Sequence, residues 1–143
     1  MKERALVLIS ILFLSGSAYG QEGSKAGVYD REYYKSGQLR YEMIINGPED
    51  GESEGIAVSK GYYENGQLEY EVIAKDGNVE YGIYKEYYRN GQLKELNHFK
   101  NDEYHGICLS YNERGQLLRV VIYEDGRIID WKNYHYEKYS FWG

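Results

Sequence analysis

The stretch Tyr-Tyr-Arg-Asn-Gly-Gln-Leu-Lys at residues 87–94 decides the fold, because the chain repeats it. Close copies stand at residues 33–40 and 62–69, and a weaker copy runs over residues 111–118. The turn glycines of the four copies are 29, 25 and 24 residues apart, at Gly37, Gly66, Gly91 and Gly115. A period of this length is typical of proteins that stack one small structural unit several times.

Each copy carries the signal of a β-hairpin. Asn-Gly between aromatic and β-branched runs favours a two-residue type I′ turn, in which both central residues have positive φ. Asn65-Gly66 and Asn90-Gly91 fit that turn well, whereas Ser36-Gly37 and Arg114-Gly115 fit it less well. These two copies also suit a longer turn with a glycine bulge, which shifts the pairing by one residue and exchanges the faces. The sequence therefore predicts four hairpins and leaves their register open.

The residues around the turns suit strands. After the turns, apolar and polar residues alternate with period two, as in residues 38–45 and 67–72, and no helical periodicity of useful length follows residue 20. We therefore predict an all-β protein. It is a single-layer antiparallel β-meander of about four two-stranded hairpin repeats over residues 27–136, with a partial C-terminal repeat.

The N-terminal residues have the layout of a secretory signal peptide. A short charged start precedes an apolar run at residues 5–14, and small residues lead to Gly20. We expect cleavage after Gly20, no transmembrane segment in the mature chain, and a secreted or periplasmic protein of the cell envelope. Residues 21–26 are predicted to be a flexible lead-in. The aromatic C-terminal tail, residues 137–143, either covers the last strand or forms a docking patch.

Composition narrows the possible partners. The chain has a formal net charge of −6, so nucleic acid and anionic lipid surfaces are unfavourable partners. It contains 18 tyrosines, which suits a thin sheet whose side chains lie half in water. The single cysteine, Cys108, excludes an intrachain disulfide, and we interpret it as a small strand residue.

No pattern of catalytic or metal-binding residues emerges. His98 and His105 flank a turn near Glu103, but their spacing is not that of a zinc site. The acidic segment at residues 47–55 lacks the ligand order of a calcium loop and is interpreted as a solvated insertion. We expect no metal, no cofactor and no enzymatic activity.

The unit Gly-Ile-Tyr-Lys-Glu-Tyr-Tyr-Arg-Asn-Gly-Gln-Leu-Lys at residues 82–94 resembles the MORN-variant repeat, and the resemblance covers roughly residues 27–136. It implies an elongated β-meander with a binding role and no shared catalytic residues. Bacterial members of this family include antitoxin-type proteins of the YwqK kind. The apparent signal peptide departs from that label, because an immunity-like role would then require an exported partner.

Two functions follow as hypotheses. The first is a non-enzymatic scaffold for an unidentified protein partner, recruited by strand addition at an open sheet edge. The second is a module that binds an envelope polymer or the membrane surface through a tyrosine ladder, formed by Tyr33, Tyr62, Tyr87 and Tyr111. A two-residue turn would pair these tyrosines with Arg40, Glu69, Lys94 and Leu118 in an outward row, whereas the bulged register would turn them inward.

Overall fold

The computed structural model describes residues 27–46, 55–75 and 81–136. The predicted signal peptide, the lead-in at residues 21–26 and the tail at residues 137–143 lie outside the described residues. So does the acidic segment, except for its last residue, Gly55. In the described part every regular element is a strand, and no helix there is long and apolar enough to cross a membrane.

The described residues form ten strands of one antiparallel sheet, which confirms the predicted all-β meander. Nine strands follow one another across the sheet in chain order, and the two-residue strand β7 pairs with β6 beside that path. The strands are β1 (Gly27–Tyr33), β2 (Leu39–Asn46), β3 (Ile56–Tyr62), β4 (Leu68–Lys75), β5 (Tyr81–Tyr87), β6 (Leu93–Lys100), β7 (Glu103–Tyr104), β8 (Gly106–Tyr111), β9 (Leu117–Glu124) and β10 (Arg127–Asn133).

The four repeated stretches form the turns β1–β2, β3–β4, β5–β6 and β8–β9, as predicted. Their type differs from the prediction for Asn65-Gly66 and Asn90-Gly91. At the third turn the Tyr88 N–H bonds to the Gln92 carbonyl at 2.8 Å, and the Gly91 N–H bonds to the Tyr88 carbonyl at 2.9 Å. Three residues therefore lie between the paired positions, and only the glycine has positive φ, here 83°.

Asparagine supports this turn through its side chain instead of its backbone. The Asn65 carboxamide oxygen accepts the Gln67 N–H at 3.1 Å, and Asn90 accepts the Gln92 N–H at 3.0 Å. Such side-chain acceptors stabilise turns without a left-handed backbone. The type I′ prediction was therefore wrong at these two sites, and all four hairpins have the bulged register that the sequence left open.

Turns with two positive-φ residues do occur, at the opposite end of the sheet. Asn101 and Asp102 have φ of 50° and 62° between β6 and β7. Asp125 and Gly126 have φ of 44° and 73° between β9 and β10. Both pairs connect strands through two-residue loops, as right-handed strand twist favours.

One face of the sheet holds the most buried side chains and is called the core face. Met43, Ala57 and Val72 lie on it, together with Phe99 and Val121. Among the described residues, no large side chain of this face is completely enclosed, because a single layer has no second sheet to cover it. The Tyr70 ring packs directly against the backbone of Gly61, where an added Cβ would lie only 2.1 Å from the ring. Tyr70 thus occupies the space that a side chain on β3 would need.

Candidate functional site

A ladder of tyrosine hydroxyl groups connects consecutive repeats along the row of four turns. Each donor is the second tyrosine of a Tyr-Tyr pair, and each acceptor is a main-chain carbonyl one repeat later. The Tyr34 hydroxyl donates to the Tyr62 carbonyl at 2.7 Å. Tyr63 donates to Tyr87 and Tyr88 donates to Tyr111, both at 2.8 Å. These tyrosines have a structural role, because they fix the distance between successive hairpins.

Glutamines form a second series of contacts between the same turns. A Cβ on Gly66 would lie 3.1 Å from the Gln38 amide nitrogen, and one on Gly115 would lie 2.8 Å from Gln92 Oε1. At Gly37, which has no preceding turn in the described chain, the same space is open. The glycine of the repeat therefore allows the backbone of its own turn and leaves room for the glutamine of the preceding turn.

The hydroxyl ladder ends at the fourth turn, where Asn112 replaces the second tyrosine. Its amide nitrogen donates to Gln116 Oε1 at 2.8 Å, and its oxygen accepts the main-chain N–H groups of Arg114 and Gln116 at 3.0 Å. All three bonds stay within one turn. The fourth turn consequently offers no tyrosine hydroxyl to a later repeat.

The four tyrosines predicted as a binding row differ in exposure. Tyr33 is 57% exposed, whereas Tyr62, Tyr87 and Tyr111 are half-buried. They pair with the leucines of the repeat, Leu39, Leu68, Leu93 and Leu117, and occupy equivalent positions in successive hairpins. The Tyr62 hydroxyl donates to Glu42 Oε1 at 2.7 Å, and burial together with this carboxylate raises the pKa of Tyr62 to about 12.

The face opposite the core face carries an apolar row that crosses seven strands, from β2 to β9. We call this row the apolar strip. Its members are cross-strand pairs from β2 to β6 and from β8 to β9, and a contact between His98 and the Ile107 carbonyl joins the two parts. Each member is half-buried except Ile107, which is 49% exposed. The strip consists of Ile44, Val58, Ile73, Ile83, His98, Ile107 and Ile122.

Charged side chains lie beside the strip on β1 to β5, and their signs alternate across the sheet in the order Arg31, Glu42, Lys60, Glu71, Lys85. Glu71 receives a 2.8 Å hydrogen bond from Lys85 and lies 4.0 Å from Lys60. We call these five residues the charge ladder. From β6 to β9 the same row is apolar, with Leu96, Leu109 and Val120, and at β10 it holds Lys132. The apolar surface is therefore broader in the C-terminal half of the sheet.

A hollow of about 550 Å³ opens on the apolar strip near the two-residue turns. Its lining includes Ile56, Ile73, Tyr81, Ile83, His98 and Ile107. Ile56 and Tyr81 are exposed at its rim. A hollow of this size and composition suits an apolar side chain or ligand group.

His98, His105 and Cys108 make contacts within the sheet. His98 Nδ1 lies 2.6 Å from the Ile107 carbonyl oxygen, so this nitrogen carries the proton. His105 Nδ1 lies 3.3 Å from Asp125 Oδ1. Cys108 is buried on the core face, and burial raises the pKa of its thiol. Among the described residues no three His, Cys, Asp or Glu side chains are grouped to hold a metal ion.

The core face also contains an aromatic cluster near the two-residue turns. The Tyr104 ring lies 4.7 Å from Phe99 and 4.9 Å from Tyr123, measured between centroids. Burial raises the pKa of Tyr104 to about 12 and also raises the pKa of Tyr123. The contacts between the three rings give this cluster a packing role.

Sequence reasoning singled out the tyrosines and missed the apolar strip. The signal was present, since β-branched residues recur at Val58, Ile73, Ile83 and Ile107. Several of them adjoin an apolar core-face residue, as Ile73 adjoins Val72, so both faces of the strand are apolar. Only the correct register separates the two rows.

The repeat assignment is supported by comparison with known families. No curated protein matches the chain significantly. The model of the MORN repeat variant matches residues 31–45, 57–76, 80–101 and 104–125, which correspond to the four hairpin units of the sheet. Together these matches cover more than half of the chain, and the protein belongs to the MORN repeat variant family.

Proposed function

We propose that this chain is an exported, non-enzymatic repeat scaffold that binds a protein partner through the apolar strip. One observation carries the proposal. A row of six β-branched side chains and His98 runs across seven strands of an open sheet and borders a hollow of about 550 Å³. Contiguous apolar surface of this kind on a soluble domain commonly marks an interaction site.

Membership of a repeat family supports the same conclusion. Stacked repeats create extended surfaces that suit binding, because each unit adds one equivalent position to the row. Here each repeat contributes members of the apolar strip, and β6 to β9 broaden it with Leu96, Leu109 and Val120. We place the main contact in this broader half.

The export proposal rests on the layout of residues 1–20, with a charged start, an apolar run and small residues before Gly20. An immunity-like role is the more specific form of the proposal, and it requires a partner protein that is itself exported. The first measurement is the N-terminal sequence of the protein purified from its host's envelope fraction. A chain that begins at Gln21 supports export, and a chain that retains residues 1–20 in the cytoplasm contradicts it.

Binding through the apolar strip is tested by crosslinking in the envelope fraction. The variant Ile107→Asp places a charge at the most exposed position of the strip. The matched control is Ile128→Asp, which changes an equally exposed isoleucine that lies opposite Tyr123 on the core face. We expect Ile107→Asp to lose at least about tenfold of the captured partner and Ile128→Asp to retain it. Equal capture by both variants would exclude the strip as the binding surface.

An envelope polymer is the alternative ligand, and the exposed ring of Tyr33 is the observation that favours it. Alanine substitutions at Tyr33, Tyr62, Tyr87 and Tyr111 separate the two ligands. Loss of polymer retention together with unchanged protein capture would support the polymer. Unchanged polymer retention would leave protein binding as the function.

A further inference from the structure

The last strand, β10, forms one edge of the described sheet and is exposed along its whole length. Ile129 and Trp131 are each 59% exposed. Edge strands with apolar side chains readily pair with another strand. The question is which strand fits this edge.

Main-chain direction shows which groups of β10 are available. The Tyr134 N–H donates to the Leu118 carbonyl at 2.8 Å, so the even-numbered amides point toward β9. Because amides alternate along a strand, Trp131 and Asn133 present their N–H and C=O groups outward. The Trp131 N–H is bonded to the Asp130 carboxylate at 2.8 Å. This carboxylate can be exchanged for a carbonyl of an incoming strand.

The side chains of β10 restrict how two copies could meet. Asp130 and Lys132 lie on the same face, opposite Ile122 and Val120 of β9. When a two-fold axis relates two antiparallel strands, residues that lie opposite each other have their side chains on the same face of the sheet. Because successive side chains alternate between the faces, the axis must pass between two copies of the same residue. An axis at Asp130 opposes two carboxylates, and an axis at Lys132 opposes two ammonium groups. An axis at Trp131 places Asp130 opposite Lys132 of the second copy, twice.

We propose that two copies of this chain associate through antiparallel pairing of their β10 strands, centred on Trp131. The two Trp131 residues exchange main-chain N–H and C=O groups, and their rings meet on the core face. Each Asp130 carboxylate leaves its own Trp131 amide and pairs with Lys132 of the other copy. The result is one continuous sheet of twice the width.

The opposite edge lacks this complementarity. If two β1 strands paired with the axis at Asp30, Arg31 or Glu32, each of these three registers would place like charges opposite each other. An axis at Arg31 brings two guanidinium groups together and places Asp30 opposite Glu32. Axes at Asp30 or Glu32 oppose identical carboxylates. The charges therefore direct self-association to β10 and away from β1.

Both edge strands also contain a register shift, between Val28 and Asp30 in β1 and between Ile128 and Asp130 in β10. Bulges at edges limit uncontrolled pairing. In β10 the bulge leaves a regular stretch from Asp130 to Asn133, which is long enough for the exchange at Trp131. The pairing is therefore short and depends strongly on its two charge pairs.

Charge reversal tests the proposal on the purified full chain, with the dissociation constant measured by sedimentation equilibrium. We expect Asp130→Lys and Lys132→Asp each to weaken dimerisation on the order of tenfold or more. The double variant restores both pairs with exchanged signs and is expected to return close to the original value. The control Asp30→Lys on β1 is expected to leave association unchanged. Circular dichroism checks that each variant retains the sheet.

A second experiment locates the axis. Main-chain hydrogen-bonded partners in antiparallel strands have Cα atoms about 5.5 Å apart, a distance that a disulfide spans. With Cys108 changed to serine, Trp131→Cys is expected to form an intermolecular disulfide, whereas Asp30→Cys is not. A chain that stays monomeric at all concentrations overturns the proposal. So does a dimer that is indifferent to both reversals, or a double variant that fails to recover.

Discussion

The Tyr63 hydroxyl donates a 2.8 Å hydrogen bond to the Tyr87 main-chain carbonyl, 24 residues further along the chain. This bond joins the second and third hairpins at their turns, and Tyr34 and Tyr88 make the equivalent bonds to either side. We expect Tyr63→Phe to lower the free energy of unfolding by about 1 kcal/mol, because the ring remains and one hydrogen bond is lost. Urea denaturation measures the change.

The control for this substitution is Tyr33→Phe, at the exposed first tyrosine of the first repeat. The effect of Tyr33→Phe on the free energy of unfolding is expected to be close to zero, because this residue is more than half exposed. Equal effects of the two substitutions would show that the ladder contributes nothing beyond the loss of any tyrosine hydroxyl.

Gly61 and Tyr70 provide a test of core-face packing. A methyl group on Gly61 would collide with the Tyr70 ring at 2.1 Å, so Gly61→Ala is expected to destabilise the fold by about 1–3 kcal/mol. A double-mutant cycle with Tyr70→Ala checks the cause, since removing the ring should reduce the penalty of Gly61→Ala. An unchanged penalty in that background would place the cost in the backbone of β3.

The charge ladder predicts a salt-dependent contribution from Glu71. Its carboxylate accepts from Lys85 at 2.8 Å and lies 4.0 Å from Lys60, and the bond to Glu71 raises the pKa of Lys85. Glu71→Gln leaves the two lysines facing an uncharged group. We expect it to lower the free energy of unfolding by about 1 kcal/mol, and by less at high salt. Thermal unfolding at low and high ionic strength measures it.

Glu32→Gln is the matched control for Glu71→Gln. Glu32 forms an ion pair of 3.8 Å with Arg40, and both side chains are more than half exposed. Its removal is expected to change the unfolding free energy by less than about 0.5 kcal/mol. If the two substitutions cost the same, alternation of charge across the sheet is not a source of stability.

Stability should fall in alkaline solution. Burial raises the pKa values of Tyr62, Tyr70 and Tyr104 to about 12, against 10.0 for a free tyrosine. The unfolded chain therefore loses these protons at lower pH than the folded chain does. The associated stability is fully present below pH 10 and is lost as the pH rises toward 12.

Tyrosinate absorbance and circular dichroism, followed in one titration, test the alkaline transition. We expect part of the tyrosines to ionise only as the sheet signal disappears. Ionisation of every tyrosine near pH 10 with an intact sheet would contradict the assignment of buried hydroxyl groups.

The sequence was sufficient to predict the meander and the positions of its four hairpins, because Gly-Gln-Leu recurs at each turn. It did not determine the turn type. Asparagine before glycine is compatible with positive φ, but at Asn65 and Asn90 the side chain accepts a main-chain N–H instead. A difference of one residue in the loop then exchanges the rows on the two faces.

The candidate site was less accessible to sequence reasoning for the same reason. Val72, Ile73 and Ala74 are all apolar, so the alternation seen in residues 67–72 stops at the end of β4 that carries the strip. Pairing with β5 separates them, because Ile73 lies opposite Ile83 and Val72 lies opposite Tyr84. The apolar strip therefore depends on cross-strand register, which local pattern alone does not supply.

The replacement of a ladder tyrosine by Asn112 gives the array a direction for evolutionary growth. A gene duplication that copies an internal unit inserts a segment whose hydroxyl donor and carbonyl acceptor both match its neighbours. A unit appended after the fourth turn would instead meet an asparagine whose amide is already engaged with Gln116. Lineages in which this protein lengthens should therefore gain repeats within the array, with the asparagine-containing turn kept as the last one.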